Sequence, residues 1–181
     1  MDVIATSLDG VWKLRQPRAR DERGWYARTF DAAAFAALGL VTAWASGGDA
    51  FNAQAGTVRG LHFQTEPHGE VKLIRCTRGA VYDVLVDVRP GSPTYGRWEG
   101  FDLHEDDEVA LYAPAGIAHG YQTLRDGAAL HYLLSAPYVP EAAAGFRYDS
   151  SALAIPWPRA VTVISARDAA LQPFAPSRVD P

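Results

Sequence analysis

The sequence predicts an all-β protein, a jelly roll or Greek-key barrel with one or a few short peripheral helices. Three observations lead there. Between Thr57 and Ser135, short runs rich in β-branched and aromatic residues recur at regular spacing. The gaps between them carry tight-turn chemistry: Pro67-His68-Gly69, Arg78-Gly79, Pro90-Gly91-Ser92-Pro93, Glu105-Asp106-Asp107, Pro114-Ala115-Gly116 and Asp126-Gly127. The 181 residues include 16 Gly and 12 Pro, which suits many turns better than a helical plan.

Taken in order, residues 1–20 alternate weakly (Val3, Ile4, Val11, Trp12, Leu14) and predict one or two edge strands. Asp21-Glu22-Arg23-Gly24 is a turn, with Gly24 free to take positive φ. Trp25–Phe30 reads as a strand. The one clear helix follows: Asp31 is placed to N-cap it, Phe35 and Leu38 share a face, and Gly39 supplies the stop. Residues 45–56 are small, polar and Gly-rich, and read as a loop. Strands are then expected near 57–64, 71–77, 80–88, 97–104, 108–113, 118–124 and 128–135. Residues 136–181 lose the alternation and carry seven of the twelve prolines, which predicts loops and short helical turns wrapping the barrel. The whole of 1–181 is read as one domain, its core at about 20–135 and its wrapping segment at 136–181.

The totals exclude several classes. With 48% hydrophobic and 21% charged residues, the composition is that of an ordinary globular domain. A net charge of −4 argues against nucleic acid or an anionic membrane as partner. No apolar run reaches the roughly 18 residues that span a bilayer. The first residues lack the basic flank and apolar block of a secretory signal. The single cysteine, Cys76, forms no intramolecular disulfide and permits a reducing compartment, so a soluble cytoplasmic protein is expected.

Chemistry concentrates in Arg59-Gly60-Leu61-His62-Phe63-Gln64 and in Lys72 shortly after it. Buried cations of this kind are costly unless paired or used. Strict alternation sends His62 and Gln64 to one face and Arg59 to the other, so they share a site only if Gly60 bends or bulges the strand. His119 follows a turn at the start of a strand and fits a rim position or a ligand contact equally. Tyr132 falls in phase with Leu130 and Leu134 on the interior face, where its hydroxyl needs a partner, while His131 faces outward. Asp168 lies on the tail expected to fold back over the barrel. Tyr138, in Pro137-Tyr138-Val139-Pro140, suits stacking or plain packing. Each of these residues taken alone also has an ordinary structural reading: a half-buried imidazole, a core tyrosine, a turn aspartate.

The five histidines are His62, His68, His104, His119 and His131, and no H-x-H pair occurs, so metal chemistry is disfavoured and no metal is expected. Nor is there a P-loop, GxGxxG, G-x-S-x-G or CxxC.

Together the motifs resemble the dTDP-4-dehydrorhamnose 3,5-epimerase family over about residues 20 to 170. The resemblance is carried by Asp21-Glu22-Arg23-Gly24, the Arg59–Gln64 segment, Lys72-Leu73, the Gly79–Arg89 run, Ser92–Trp98, Pro114–Gly120, Tyr132 and Ser165-Ala166-Arg167-Asp168, in the family's order and spacing. It implies a cupin-type jelly roll, a homodimer, no metal or organic cofactor, and a nucleoside-diphosphate sugar substrate. It further implies His62 as base, oriented by Asp168, with Tyr132 as the acid on the opposite face and Lys72 against the developing oxyanion. By the same resemblance Arg23 and Arg59 would take the diphosphate, and His119 the sugar or phosphate. Tyr138 would stack on the base, with Gln64 and Arg167 also among the substrate-binding set.

The chain departs from the family pattern at the recognition periphery. Arg28 stands where well-known members carry an acid, Gly47-Gly48-Asp49 replaces a Gln-x-Asn, and Ala143 replaces an acid. A 3-only or 5-only epimerase on a different nucleotide sugar is therefore the alternative reading. A metal-dependent cupin oxygenase and a non-catalytic sugar-binding protein are more distant ones.

Overall fold

The computed structural model describes residues 2–176; the remainder of the expected wrapping segment lies outside the described residues. The chain opens with β1 (Asp2–Ala5) and β2 (Trp12–Arg15), then a separate hairpin of β3 (Arg18–Asp21) and β4 (Gly24–Ala27), then α1 (Ala32–Ala37). There follow β5 (Ser46–Asn52), β6 (Val58–Gln64), β7 (Lys72–Arg78), β8 (Ala80–Asp87), β9 (Trp98–His104), β10 (Val109–Ala113), β11 (Ile117–Thr123) and β12 (Ala128–Leu134). A 3₁₀ turn (Pro140–Ala142), β13 (Ala143–Gly145) and α2 (Ala166–Ala169) complete it.

One sheet runs β1-β2-β10-β7-β12-β5, the other β13-β6-β11-β8-β9, with antiparallel neighbours throughout. Strands β5, β7, β10 and β12 thus face β6, β8, β9 and β11, which is the eight-stranded jelly roll.

Both sheets are covered on both faces. Between them pack Ile74, Val81, Leu85, Leu111, Tyr121 and Leu130. Outside the first sheet, α1 sets Phe35 against Leu14, Leu73 and Tyr112. Outside the second, the tail lays Leu153, Ile155 and Phe174 over Leu61, Val84 and Val86. Double coverage explains why β8 reads as a nearly unbroken apolar run rather than an alternating one. No helix among the described residues is long and apolar enough to cross a membrane.

Three expectations are corrected. Residues 46–52, read as a loop, form β5, the first jelly-roll strand. It sits at a sheet edge, bonded to β12 alone, and its side chains are exposed save Ala50 and Asn52, so small polar residues suffice. β2 is not an edge strand; it lies between β1 and β10. β4 ends at Ala27 instead of Phe30, because Arg28 pairs with Asp31, which caps α1 through the Ala34 N–H at 3.0 Å. The helix itself lies where Asp31 and Gly39 place it.

Candidate active site

A cavity of about 570 Å³ opens at one end of the barrel, between the sheets and under the tail. His62 enters it from β6. Gly60, at φ +121°, makes this possible: between β6 and β11 the pairing moves from His62↔His119 to Arg59↔Tyr121, so three steps on β6 face two on β11. That bulge turns Arg59 to the same side as His62. A Cβ on residue 60 would lie 2.4 Å from the Gly120 Cα, so only glycine fits.

The tail supplies the partner of His62. Val58 N–H donates to the Val163 carbonyl at 2.9 Å, which lays the chain along β6 just ahead of α2. Ser165 caps α2 by accepting from the Asp168 N–H at 3.0 Å. Asp168 then has one oxygen 2.7 Å from His62 Nε2 and the other accepting the buried Gly60 N–H at 3.2 Å. Burial pushes the Asp168 pKa up, but the His62 and Gly60 contacts outweigh it and the net shift is downward, so the carboxylate stays charged. Among the described residues, Nδ1 of His62 has no hydrogen bond.

From the facing sheet come Tyr132 on β12 and Lys72 on β7. Burial holds the Tyr132 phenol well above its ordinary pKa, and it interacts with the Tyr121 hydroxyl. Such a phenol remains a proton donor at neutral pH. Lys72 is buried, and the loss of solvent lowers its pKa while the Glu70 carboxylate, 3.3 Å from Nζ, opposes that shift. Nζ also donates to the His62 carbonyl at 3.0 Å.

A second imidazole–carboxylate pair stands beside the first. His119 Nε2 lies 2.7 Å from Asp83 Oδ2, and the His119 ring sits between Tyr121 and Tyr132 at 6.0 and 5.7 Å. Arg59, clasped by the Asn52 side chain and the Phe51 carbonyl, and Arg167 on α2 add positive charge at the mouth.

The structure therefore brings together His62, Tyr132, Asp168, Lys72, Arg59, His119 and Arg167. Three expected residues lie elsewhere. Gln64 is buried and acts as a strut: Nε2 donates to the His68 and Pro137 carbonyls and Oε1 accepts from the Val139 N–H, leaving nothing for a substrate. Arg23 sits at the exposed tip of the β3–β4 hairpin, paired with Asp21 and not among the residues that line this chain's cavity. Tyr138 is exposed outside the cavity, its hydroxyl 3.4 Å from Arg167.

Sequence reasoning gave no role to Glu70, Asp83 or Tyr121. Their signal was phase: Glu70 shares parity with Lys72, Tyr121 with His119, and Asp83 with the inward Val81 and Leu85. Among the described residues no group of three or more His, Cys, Asp or Glu side chains could hold a metal ion.

The sequence profile of dTDP-4-dehydrorhamnose 3,5-epimerase matches residues 5–176. The chain belongs to the dTDP-4-dehydrorhamnose 3,5-epimerase family. Among its relatives in that family is a 3,5-epimerase from Sinorhizobium fredii, 43% identical over 92% of this chain and 86% of that one. A dTDP-4-dehydrorhamnose 3-epimerase from Streptomyces niveus is 39% identical over 89% and 78%. The crystal structure of the Bacillus anthracis 3,5-epimerase with TDP and PPi bound superposes with a TM-score of 0.92 at 34% identity, covering 96% of this chain and 99% of that one. The fold is accordingly the cupin-like jelly roll of these epimerases, and the family assignment makes the protein an isomerase.

Proposed function

We propose that the protein inverts C3, C5 or both of a nucleoside-diphospho-4-keto-6-deoxyhexose, with dTDP-4-dehydrorhamnose the first candidate. One observation carries the reading: a carboxylate-held imidazole on one sheet and a protonated phenol on the other line a single cavity, with a lysine beside them. The C4 ketone acidifies the neighbouring C–H bonds. His62 Nδ1 takes the hydrogen as a proton, and the electron pair moves onto the C4 oxygen as an enolate. The Lys72 ammonium opposes that charge. Tyr132 then gives its proton to the other face of the same carbon as the C4 carbonyl re-forms, and solvent returns a proton to the phenolate and takes the one held by His62. Acid–base steps of this kind supply roughly 10²–10⁴-fold each. Asp168 keeps the His62 proton on Nε2 and steadies the imidazolium. Arg59 and Arg167 suit the diphosphate, with His119 nearby for the sugar or phosphate, and Tyr138 at the rim is available to stack on the base.

Incubation with several nucleoside-diphospho-4-keto-6-deoxyhexoses in D2O, read by NMR at C3 and C5, tests this. Deuterium at an inverted centre, absent with His62→Ala, is the expected result; no exchange with any of them overturns it. Deuterium at C3 alone would favour the single-site reading that the 3-epimerase from S. niveus motivates.

We further propose a homodimer. Trp25 and Tyr26 on the β3–β4 hairpin and Phe51 on β5 are exposed at 47, 65 and 55%, as a surface covered by a second copy would be. Light scattering giving a monomer mass would refute it. The single buried thiol, Cys76, with its pKa pushed up to about 11, suits a cytoplasmic setting.

A further inference from the structure

The charge of Lys72 is answered by a residue with no part in the reaction as set out above. The Lys72 and Glu70 side chains are only 8 and 10% exposed, with Nζ and Oε1 3.3 Å apart. The other Glu70 oxygen lies 3.3 Å from Gln64 Nε2, whose two hydrogens are shared with the nearer His68 and Pro137 carbonyls at 3.1 Å. Ammonium and carboxylate are thus both shut off from solvent and face each other in the cavity wall.

We propose that Glu70 is a positioning residue for Lys72, fixing the ammonium in the cavity wall in its charged form. The proposal rests on the epimerase reading and deepens it. An ammonium stripped of water loses its proton readily, and only a charge against it restores the balance. Around Nζ, β6 presents the His62 carbonyl and imidazole, β8 presents Asp83, β11 His119 and β12 Tyr132. Asp83 commits one oxygen to His119, and Glu70 is the one carboxylate within 4.0 Å of Nζ among the described residues. Glu70 stands two residues ahead of Lys72, in the segment that leads into β7.

Glu70→Gln keeps the shape and an acceptor for Gln64 while removing the charge. In the D2O exchange assay its alkaline limb of kcat/KM should move about one pH unit lower, since an opposite charge at this range shifts a pKa by about 1–3 units. Glu70→Asp should keep the limb where it is. In a Lys72→Met background Glu70→Gln should change exchange by less than about twofold. A substrate-free readout is the ¹⁵N NMR titration of Lys72 Nζ, whose midpoint should fall by about one unit in Glu70→Gln. An unmoved midpoint and limb, or an equal loss of exchange without Lys72, overturns the proposal. Should the wild-type protein exchange no substrate while the Lys72 midpoint still moves in Glu70→Gln, the epimerase reading fails and the coupling stands.

Discussion

Asp168→Asn changes one atom, and the surroundings dictate the consequence. Asp168 accepts from the buried Gly60 N–H with one oxygen and meets His62 Nε2 with the other. In the amide, only the carbonyl oxygen can answer the Gly60 N–H, so the NH2 group falls on His62. His62 must then accept at Nε2 and carry its proton on Nδ1, the nitrogen needed to receive the substrate hydrogen. The opposite amide rotamer restores the tautomer but sets two donors against each other and strands the Gly60 N–H, at about 1–3 kcal/mol. That penalty makes the competent arrangement about 5- to 150-fold rarer. Loss of the carboxylate also removes a charge-assisted contact to the imidazolium, worth about 1.5–3 kcal/mol, a further factor of at least about ten. Exchange at pH 7 should therefore fall by about 10²–10⁴-fold, comparable to the effect of the same substitution behind a catalytic histidine in serine proteases. The assay is single-turnover deuterium incorporation by NMR, run beside a thermal melt to show that the fold survives. Exchange within about threefold of wild type in a folded Asp168→Asn protein would mean that this carboxylate does not set the base.

Three further outcomes are expected. Tyr132→Phe should still release label from C3- or C5-deuterated substrate within about tenfold of wild type, while inverted product falls by about 10² or more; undiminished inversion would show that another group supplies the proton. Gly60→Ala should destabilise by about 3 kcal/mol or more, because its Cβ would meet the Gly120 Cα at 2.4 Å and the His119 carbonyl at 2.8 Å on a backbone at φ +121°; a denaturant midpoint near wild type would contradict that. Asp87 is buried and, despite the burial, has its pKa lowered to about 2 by Arg89, Ser92 and Thr94. A depressed folded pKa stabilises above the unfolded value near 4 and ceases to do so as pH falls through about 2. Asp87→Asn should thus cost about 2 kcal/mol at pH 7, and the gap between the two melting curves should close between pH 4 and 2.

Most of the barrel was legible because turn chemistry is local. Arg78-Gly79 and Asp126-Gly127 close their turns with glycines at φ +70° and +67°, and the strands between such turns lie within a residue or so of their expected ends. β5 was not legible, since an edge strand paired on one side leaves no hydrophobic phase for the sequence to display. β13 escaped for a related reason: three small residues, Ala143–Gly145, pair with β6 through their backbone alone.

For the site, the dividing line runs between chemistry and placement. His62, Tyr132 and Asp168 each have an ordinary structural reading alone and took their roles from the family resemblance, while Gly60 announced the bulge that lets Arg59 join them. Gln64 looked equally functional, in phase with His62 and one turn of pleat away. What separates the two is the environment. His62 leaves Nδ1 without a bond among the described residues, whereas the strut Gln64 has its amide saturated by the loop that follows its own strand and by the distant Pro137–Val139 segment. Such saturation is a tertiary property that no spacing encodes. Arg23 poses the converse case. Its guanidinium is free of the core and 83% exposed, tethered only to Asp21 at the tip of a hairpin that joins neither main sheet. A residue so placed does not line its own chain's cavity, and the proposed homodimer is what would bring a diphosphate to it. If Arg23→Ala weakens nucleotide binding about tenfold or more in the assembled protein, the cavity it serves belongs to a second copy, and the exposed hairpin aromatics mark where that copy sits.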